Sequence, residues 1–424
     1  MDYKVEKLKN GITLLTLPIA DAESAVVNFF VKTGSRHEAA KQRGISHFLE
    51  HLLFKGTKKY PTAKILSSTV EAIGAEYNAA TSKEYTLYYI KAAAEHLELI
   101  FDVLSDMLFR PRLEGAEIER EKGVIIEEMN MYRDTPMRYV PDLLEEAMWS
   151  GTDLGAQIIG DEKTVTGISR QDLLAYIGSQ YVNENLIVAV AGKFEDKKLR
   201  HLISKYCDGG RNGRESSYEK ASLNGKRILP IKLQYKNTEQ AHLALGFYGL
   251  NFEDANNPAL DLLSNILGGG MSSRLFSEIR ERRGLAYYVR MSPQHYQDTG
   301  LVSINAGLRI NKVEEAISVI SQELKKIRLS KVPSAELKKA RENLKGRITL
   351  SLEDYESRLD WYLEQAAFRK KIWSPKEYFR KIQVVTPQQI QKLANRLFRK
   401  ENSCLALIGP FRNQDSKLSG LIKL

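Results

Sequence analysis

The stretch from residue 44 to residue 54, Gly-Ile-Ser-His-Phe-Leu-Glu-His-Leu-Leu-Phe, constrains the fold of this chain more than any other. Its apolar residues recur at the spacing of one helix face, whereas His47, Glu50 and His51 fall together on the opposite face. Two imidazoles one helical turn apart can bind the same metal ion, and a carboxylate beside them can handle the proton of a metal-bound water. The stretch therefore predicts an amphipathic helix with a divalent-metal motif in the order His-x-x-Glu-His.

A surface helix that carries two histidines by coincidence is the alternative interpretation of this stretch. The chain has only 7 histidines among 424 residues. Two of them one helical turn apart, with a glutamate between them, form a pattern that chance rarely produces. The clean separation of the apolar and polar faces points the same way. We therefore favour a metal-binding helix.

Length and composition limit the class of protein. A chain of 424 residues, 43% hydrophobic and 27% charged, is typical of a globular protein with roughly two to four domains. No apolar run approaches the roughly 20 residues that cross a bilayer, and the first residues resemble neither a signal peptide nor a transit peptide. Cys207 and Cys404 form no metal or redox motif. We therefore expect a cytoplasmic protein with reduced cysteines and no membrane partner.

The net charge of +10 raises the question of an anionic partner. The basic residues are spread along the chain, and the short clusters at 280–283 and 369–371 have no basic–aromatic module around them. A solvated, mildly basic surface explains this distribution better than a nucleic-acid site does. We predict no nucleic-acid partner.

Hydrophobic periodicity predicts alternating strands and helices in the N-terminal half of the chain. The predicted strands are 4–17, 24–33, 75–81, 85–92 and 185–192. The predicted helices, besides the metal-binding one, are 62–73, 95–109, 115–133, 137–149 and 169–180. Pro61 and Gly74 are typical of the start and the end of the helix that lies between them.

The same order of elements recurs in the C-terminal half. The matching strands are 241–247, 285–291, 299–307 and 404–409, and the matching helices are 257–267, 312–328, 333–351 and one from Thr386. Gly409 and Gly192, which end equivalent strands, are 409 − 192 = 217 residues apart. Residues 208–226 between the halves are polar and rich in Gly, Asn and Ser. We therefore predict two similar α/β units, at 1–207 and 229–424, joined by a linker at 208–228.

The metal motif is confined to one half. At the corresponding positions the C-terminal half has Leu260, Leu263 and Ser264. These side chains cannot replace two imidazoles and a carboxylate. The sequence thus predicts one metal-binding copy and one copy without metal.

A third protein ligand is needed, because two histidines leave a catalytic zinc short of one. The predicted helix at 115–133 has several glutamates. Glu121 and Glu128 are seven residues apart and share one helix face, whereas Glu127 points about 100° away from Glu128. Spacing alone does not choose among these glutamates, because acidic residues are common on surface helices.

Two motifs together resemble a known family. The sequences His-Phe-Leu-Glu-His-Leu-Leu-Phe-Lys-Gly-Thr and Glu-Arg-Glu-Lys-Gly-Val-Ile-Ile-Glu-Glu-Met are similar to those of the inverzincin metallopeptidases of the pitrilysin and insulinase type. They are most similar to the shorter branch that includes mitochondrial processing peptidase and its bacterial homologues. The resemblance covers essentially the whole chain. It implies an α/β (α+β) fold of two homologous units, each a mixed, mostly antiparallel sheet packed with helices, arranged as half of a clamshell.

The resemblance also assigns roles around the metal. It implies that His47, His51 and Glu128 bind Zn²⁺ and that Glu50 is the general base. Glu121 becomes a nearby supporting carboxylate, and a role in orienting a ligand imidazole is physically reasonable for it.

Two further segments match the family's substrate-binding elements. The segment Tyr77-Asn78-Ala79-Ala80-Thr81 resembles an edge strand that pairs with the substrate backbone by strand addition, with Tyr77, Asn78, Ala79 and Ala80 as the substrate-binding residues. Arg280 and Tyr287 resemble a paired arginine and tyrosine that hold the substrate and stabilise the tetrahedral intermediate. Without the resemblance, Tyr77–Ala80 would be an ordinary strand end, Arg280 a surface residue and Tyr287 a strand residue.

The activity that follows is that of a zinc metalloendopeptidase acting on extended peptides or unfolded segments inside an enclosed chamber. Family members of this kind enclose the site with four such units, so a chain with two implies a homodimer. Arg280 and Tyr287 could then serve their own zinc site or that of the partner. The alternative is a catalytically inactive peptide-binding or structural subunit of the same fold. A processing role and a degradative role are both open.

Overall fold

The computed structural model describes residues 3–221 and 231–424. Residues 222–228 of the predicted linker therefore lie outside the described residues. The chain packs into two compact units. Unit 1 consists of Met1–Met131, Ala156–Glu219 and Leu352–Ala367, and unit 2 consists of Tyr132–Gly155, Lys220–Ser351 and Phe368–Leu424.

The strands follow the predicted order along the chain. They are β1 (Lys4–Lys7), β2 (Thr13–Pro18), β3 (Ser24–Val31), β4 (Glu76–Thr81), β5 (Thr86–Ala93), β6 (Leu186–Gly192), β7 (Ile231–Tyr235), β8 (Gln240–Tyr248), β9 (Ala286–His295), β10 (Gly300–Arg309) and β11 (Ser403–Gly409).

The helices outnumber those predicted from periodicity. They are α1 (Ile45–Leu53), α2 (Ala63–Glu71), α3 (Leu97–Phe109), α4 (Gly115–Asp134), α5 (Pro136–Met148), α6 (Glu162–Gly167), α7 (Arg170–Gln180), α8 (Asp196–Cys207), α9 (Asn257–Gly268), α10 (Val313–Leu329), α11 (Ser334–Ser351), α12 (Tyr355–Phe368), α13 (Pro375–Gln383), α14 (Pro387–Leu397) and α15 (Asp415–Leu421). A π-helical turn, Phe276–Glu281, precedes β9. No helix among the described residues is long and apolar enough to cross a membrane.

Each unit is built on one mixed sheet. In unit 1 the strand order is β1-β2-β6-β3-β5-β4, and in unit 2 it is β7-β11-β8-β10-β9. Among the strands of residues 3–221 and 231–424, only the β2–β6 pair in the first sheet and the β7–β11 pair in the second are parallel. The run β2-β6-β3-β5-β4 thus has the same order and strand directions as the whole sheet of unit 2. The predicted fold class, two homologous units with mixed and mostly antiparallel sheets, is confirmed.

The two halves of the sequence exchange segments when they pack. Helix α5, from the N-terminal half, packs against β8 and β11 in unit 2. Residues 352–367, from the C-terminal half, belong to unit 1, where the Tyr355 hydroxyl is hydrogen-bonded to Ser24 and Lys91 Nζ donates to Glu356 at 3.3 Å. The predicted boundaries at 207 and 229 divide the repeat in the sequence, whereas each packing unit contains a segment from both halves.

The apolar face of α1 is part of the core of unit 1. Its five apolar residues, Ile45, Phe48, Leu49, Leu52 and Leu53, are each at most 1% exposed. Burial of five such side chains contributes on the order of 10 kcal/mol of gross hydrophobic free energy, before the loss of conformational entropy is counted. The predicted amphipathic helix is therefore confirmed, with its polar face outside the core.

The prediction of one unbroken strand at 4–17 is wrong. The chain turns back on itself between β1 and β2, which pair as an antiparallel hairpin. At the turn, Gly11 has φ +92° and the amide of Ile12 donates to Asn10 Oδ1 at 3.2 Å. An Asn-Gly pair favours such a turn, because glycine adopts positive φ without strain and asparagine bonds the backbone locally.

Candidate metal centre

A buried carboxylate holds the N-terminus of α1 in place. The side chain of Glu38 accepts hydrogen bonds from the amides of Gly44 at 2.7 Å and Ser46 at 2.8 Å, so it satisfies donors that a helix start leaves free. Gly44 has φ +93°, and a Cβ there would lie 2.7 Å from the carbonyl oxygen of Ile159. Burial raises the pKa of Glu38 to about 7, against the effect of the hydrogen bonds that it accepts. These contacts fix the point at which the motif helix begins.

Helices α1 and α4 bring three potential ligands together. The Nε2 atom of His51 lies 3.4 Å from Oε2 of Glu128, and the Nε2 atom of His47 lies 3.7 Å from the same oxygen. The two imidazole rings are 4.6 Å apart between their centroids. One ligand atom from each of the three side chains lies within 4.8 Å of the others. Of the glutamates that spacing left open, Glu128 is the one beside both imidazoles.

These separations suit a zinc ion better than direct hydrogen bonds. Tetrahedral zinc with nitrogen and oxygen ligands at about 2.1 Å has ligand atoms about 3.4 Å apart. The observed 3.4 and 3.7 Å are close to that spacing and longer than well-formed N–H···O bonds. The Nδ1 atom of His47 is buried without a hydrogen-bond partner among the described residues. The donor set of two imidazoles and one carboxylate fits a zinc site that keeps a fourth position for water.

Glu121 lies behind the ligand cluster. One of its oxygens is 2.8 Å from Nδ1 of His51, and the other is 2.8 Å from Nζ of Lys55. Its side chain is 2% exposed, because α4 buries a stripe that includes Ile118, Glu121 and Ile125. A carboxylate at Nδ1 favours the tautomer whose Nε2 is free to bind a metal.

The charges of the site shift the pKa values of its members in opposite directions. Burial, and then the nearby charge of His51, lower the pKa of His47 to about 4. For His51, burial acts downward, but the hydrogen bond to Glu121 and the nearby carboxylate of Glu128 outweigh it and raise the pKa to about 9. The approach of His51 in turn lowers the pKa of Glu128. Burial acts upward on Glu121, but His51 and Lys55 outweigh it and lower its pKa.

Glu50 is half-buried next to His51 on the polar face of α1 and is not one of the three converging ligands. Its Oε2 accepts a hydrogen bond from the hydroxyl of Thr81. Burial raises the pKa of Glu50, although the bond from Thr81 and the charge of His51 act in the opposite direction. A carboxylate whose pKa is raised toward neutrality is suited to accept and return a proton.

The predicted substrate-pairing residues Tyr77–Ala80 lie on β4, at one edge of the sheet of unit 1. Among the described strands this one pairs with β5 alone, so its other side is not used by the sheet in the part of the chain that the structure describes. Along it the half-buried Tyr77, Ala79 and Thr81 alternate with exposed residues. The amide of Ala79 donates to the side-chain oxygen of Asn78 at 2.9 Å. Such an edge is open to pairing with another strand.

Arg280 and Tyr287 come together in unit 2. The guanidinium of Arg280, in the π-helical turn, lies 5.5 Å from the centre of the Tyr287 ring and 4.9 Å from that of Phe276. Tyr287 is 73% exposed near the start of β9. The two predicted residues are therefore paired, but they belong to a different compact unit from the histidine site.

Two contacts of the site, those of Lys55 and Thr81, were not expected from the sequence. Lys55 is four residues after His51, a spacing that places it on the same side and could have indicated its proximity. Nothing in the sequence links Thr81 to Glu50, because that contact depends on how β4 packs beside α1.

Both halves of the chain match models of one family. Residues 15–162 match the Insulinase (Peptidase family M16) model, and residues 167–344 match the Peptidase M16 inactive domain. The second match agrees with the absence of the metal motif from the C-terminal half, which has Leu260, Leu263 and Ser264 at those positions.

Relatives with substantial identity extend over nearly the whole chain. The uncharacterized zinc protease YmxG of Bacillus subtilis is 34% identical over 408 residues, which are 96% of this chain and 98% of the relative. An uncharacterized zinc protease of Streptomyces coelicolor is 32% identical over 414 residues, which are 96% of this chain and 90% of that protein. The crystal structure of a protease from Helicobacter pylori shares the fold, with a TM-score of 0.90 at 24% identity over 96% of this chain and 99% of its own. The sheets, the two family matches and these relatives agree that the chain belongs to the insulinase-type peptidase family M16.

Proposed function

We propose that this protein is a zinc metalloendopeptidase that hydrolyses peptide bonds in extended peptides or unfolded segments. The observation that carries the proposal is the approach of His47, His51 and Glu128 to within 4.8 Å, with Glu50 beside them. The zinc-protease names of relatives at 34% and 32% identity support it.

Three residues would hold the ion, and a fourth would orient one of them. His47, His51 and Glu128 would bind zinc, and Glu121 would keep the His51 ring in its binding orientation through the bond at Nδ1. When bound, zinc supplies a Lewis acid that lowers the pKa of a water molecule to about 7 and polarises a peptide carbonyl.

The remaining chemistry belongs to side chains. Glu50 would take the proton of the attacking water and return it to the leaving amine nitrogen, as a general base and then a general acid. Tyr287 and Arg280 would donate hydrogen bonds to the oxyanion that develops on the carbonyl oxygen.

The substrate class follows from the open edge of β4. A peptide that adds to this edge as a strand must be extended, and it would lie along Tyr77–Ala80. Folded proteins cannot offer such a strand, so unfolded segments and flexible peptides are the expected substrates. We further propose a homodimer that encloses the site in a chamber, with Arg280 and Tyr287 acting in their own chain or in the second copy.

The test combines metal analysis with cleavage of an unstructured peptide by wild type, Glu50→Gln and Glu127→Gln. We expect about one zinc per chain in all three proteins and at least about a 100-fold loss of cleavage rate in Glu50→Gln alone. Glu127→Gln is the matched control, because Glu127 is an exposed glutamate on α4 outside the ligand cluster.

Three outcomes would each contradict a different part of the proposal. Unchanged cleavage by Glu50→Gln would reject this residue as the base. A wild type that neither binds zinc nor cleaves would favour a catalytically inactive peptide-binding subunit. A solution mass near that of one chain would reject the homodimer alone.

A further inference from the structure

The hydroxyl of Thr81 joins the edge strand to the carboxylate of Glu50. Thr81 is the last residue of β4, and its side chain lies on the half-buried face of that strand together with Tyr77 and Ala79. Its Oγ1 donates to Oε2 of Glu50. An ionised carboxylate offers about four acceptor positions, so this bond leaves capacity for the proton of a water molecule.

The turn that follows Thr81 is held by backbone contacts with the segment after β3. The amide of Ser35 donates to the carbonyl of Ser82 at 3.1 Å, and the amide of Arg36 donates to that of Lys83 at 2.8 Å. Gly34 permits this approach, because a Cβ at that position would lie 2.1 Å from the Ser82 carbonyl oxygen. The end of β4 is therefore attached to the interior of unit 1.

Buried charged side chains also hold this turn in place. Arg36 donates to Glu84 at 2.7 Å, and these two side chains are 0% and 3% exposed. The ammonium of Lys83 donates to the carbonyl of Ala156 at 2.6 Å. Buried, hydrogen-bonded charges resist displacement, because moving one partner leaves the other charge uncompensated. The backbone that follows Thr81 is therefore held in place, and this fixes the position from which the Thr81 hydroxyl reaches Glu50.

The second sheet provides an internal comparison for Thr81. Equivalent strands pair along the rows Leu186–Val31–Thr86–Thr81 and Ser403–Phe247–Val302–Pro293. These rows start 403 − 186 = 217 residues apart, the same separation as Gly192 and Gly409. Pro293, the counterpart of Thr81, has no hydroxyl, and Leu263, the counterpart of Glu50, has no carboxylate. Both partners of the hydrogen bond are absent from the copy that lacks the metal ligands.

We propose that Thr81 is a positioning residue that holds the Glu50 carboxylate in its working orientation, and that it couples this orientation to the peptide-binding edge. The inference rests on the proposed peptidase function. Because Thr81 continues the strand along which the substrate would lie, one rigid element would hold both the peptide and the base. Thr81 is not one of the three converging ligands, and it would act through Glu50.

The test uses full-length Thr81→Val, which keeps the shape and removes the hydroxyl, and Thr81→Ser, which keeps the hydroxyl. We expect Thr81→Val to lower kcat about 10- to 100-fold, the effect of losing a hydrogen bond to a charged group. Its KM and its zinc content should stay within about twofold of wild type, whereas Thr81→Ser should retain most of the kcat. Thr166→Val, an exposed threonine on α6, is the control for loss of a hydroxyl.

A double-mutant cycle makes the inference specific to Glu50. Thr81→Val in a Glu50→Gln background should cause no further loss of kcat, because the base is already gone. A wild-type kcat in Thr81→Val, an equal loss in Thr81→Ser, or a full additional loss in the Glu50→Gln background would each overturn the inference and leave the proposed peptidase standing. A zinc-loaded wild type that cleaves no peptide would overturn the proposed function, and this inference with it.

Discussion

Units 1 and 2 have the same sheet order but different chemistry on the equivalent helix. Helix α1 presents His47, Glu50 and His51 on its polar face, whereas α9 has Leu260, Leu263 and Ser264 at those positions, each at most 4% exposed. Along the face that is apolar in α1, α9 keeps an apolar residue at three of the five positions and has Asp261 and Asn265 at the other two. The comparison teaches that the same sheet order accommodates either a metal motif or buried core residues on this helix.

Helix α4 and its counterpart α11 differ in the same way, because α11 lacks the carboxylates at the equivalent positions. When α4 and α11 are aligned from their first residues, the buried Glu121 corresponds to the buried Ala340, and Glu128 corresponds to Arg347. The guanidinium of Arg347 donates to the carbonyl of Gly269 at 2.9 Å. A cation in place of a ligand carboxylate repels a metal ion. At the positions that correspond to the site, unit 2 therefore has neither the imidazoles nor the carboxylates.

The largest effect on zinc binding and cleavage is expected when a metal ligand of unit 1 is replaced by the residue at the equivalent position of unit 2. His51→Ser copies Ser264 and removes one of three ligands, so we expect zinc affinity to fall by more than the roughly 100-fold typical of losing a supporting partner. Cleavage should fall below detection, while the far-ultraviolet circular dichroism spectrum stays that of wild type. His201→Ser, at an exposed histidine on α8, is the control. A His51→Ser protein that keeps one tightly bound zinc would contradict the ligand assignment.

A smaller loss is expected from the supporting carboxylate. Glu121→Gln keeps the shape but weakens the bond to His51 Nδ1, so zinc affinity should fall about 10- to 100-fold while the ion can still bind. Competition with a chelator of known affinity measures this change. Glu119→Gln, an exposed glutamate on the same helix that pairs with Lys122, should bind zinc like wild type. Equal affinities for wild type and Glu121→Gln would show that His51 does not need this partner.

The affinity for zinc should increase at least about tenfold per pH unit over a limited pH range. In the metal-free protein the pKa of His51 is raised to about 9, so its imidazolium must release a proton when zinc binds. The pKa of His47 is lowered to about 4, so this residue is already neutral. Affinity should therefore increase from pH 7 to about 9 and then level off. Calorimetry in buffers of different ionisation enthalpy should count at least about one proton released at pH 7.5, that of His51, with any proton lost by a bound water added to it; a count of none would contradict the prediction.

The smallest effects should come from the exchanged segments. Tyr355→Phe removes the hydrogen bond to Ser24 in unit 1, and Tyr248→Phe removes the bond to the carbonyl of Met148 in unit 2. Each should lower the free energy of unfolding by about 1 kcal/mol, the usual net value of one hydrogen bond. Thermal unfolding of both variants measures this change. A loss several times larger in only one variant would show that the two exchanges do not contribute equally.

Local pattern was enough for most of the helices and strands and for the two histidines of the metal centre. The spacing of Ile45, Phe48 and Leu52 specifies a helix face, and the same spacing places His47 and His51 on the other face. The duplication was also visible, because periodicity repeats along the chain. The one wrong strand, at 4–17, contained the Asn10-Gly11 turn signal that should have divided it. Helices α6 and α13, which were not predicted, begin with capping boxes at Asp161 and Ser374.

The sequence by itself determined the two α/β halves, the motif helix and the limitation of that motif to one copy. Only the tertiary structure decided which glutamate lies beside the imidazoles, that Glu121 and Lys55 stand behind His51, and that Thr81 bonds to Glu50. It also decided that α5 and residues 352–367 pack in the unit of the opposite half. The physical reason is the separation along the chain over which each kind of information acts. Periodicity reports which way a side chain points from its own helix or strand, whereas contacts between residues 30 to 80 positions apart depend on how buried faces pack.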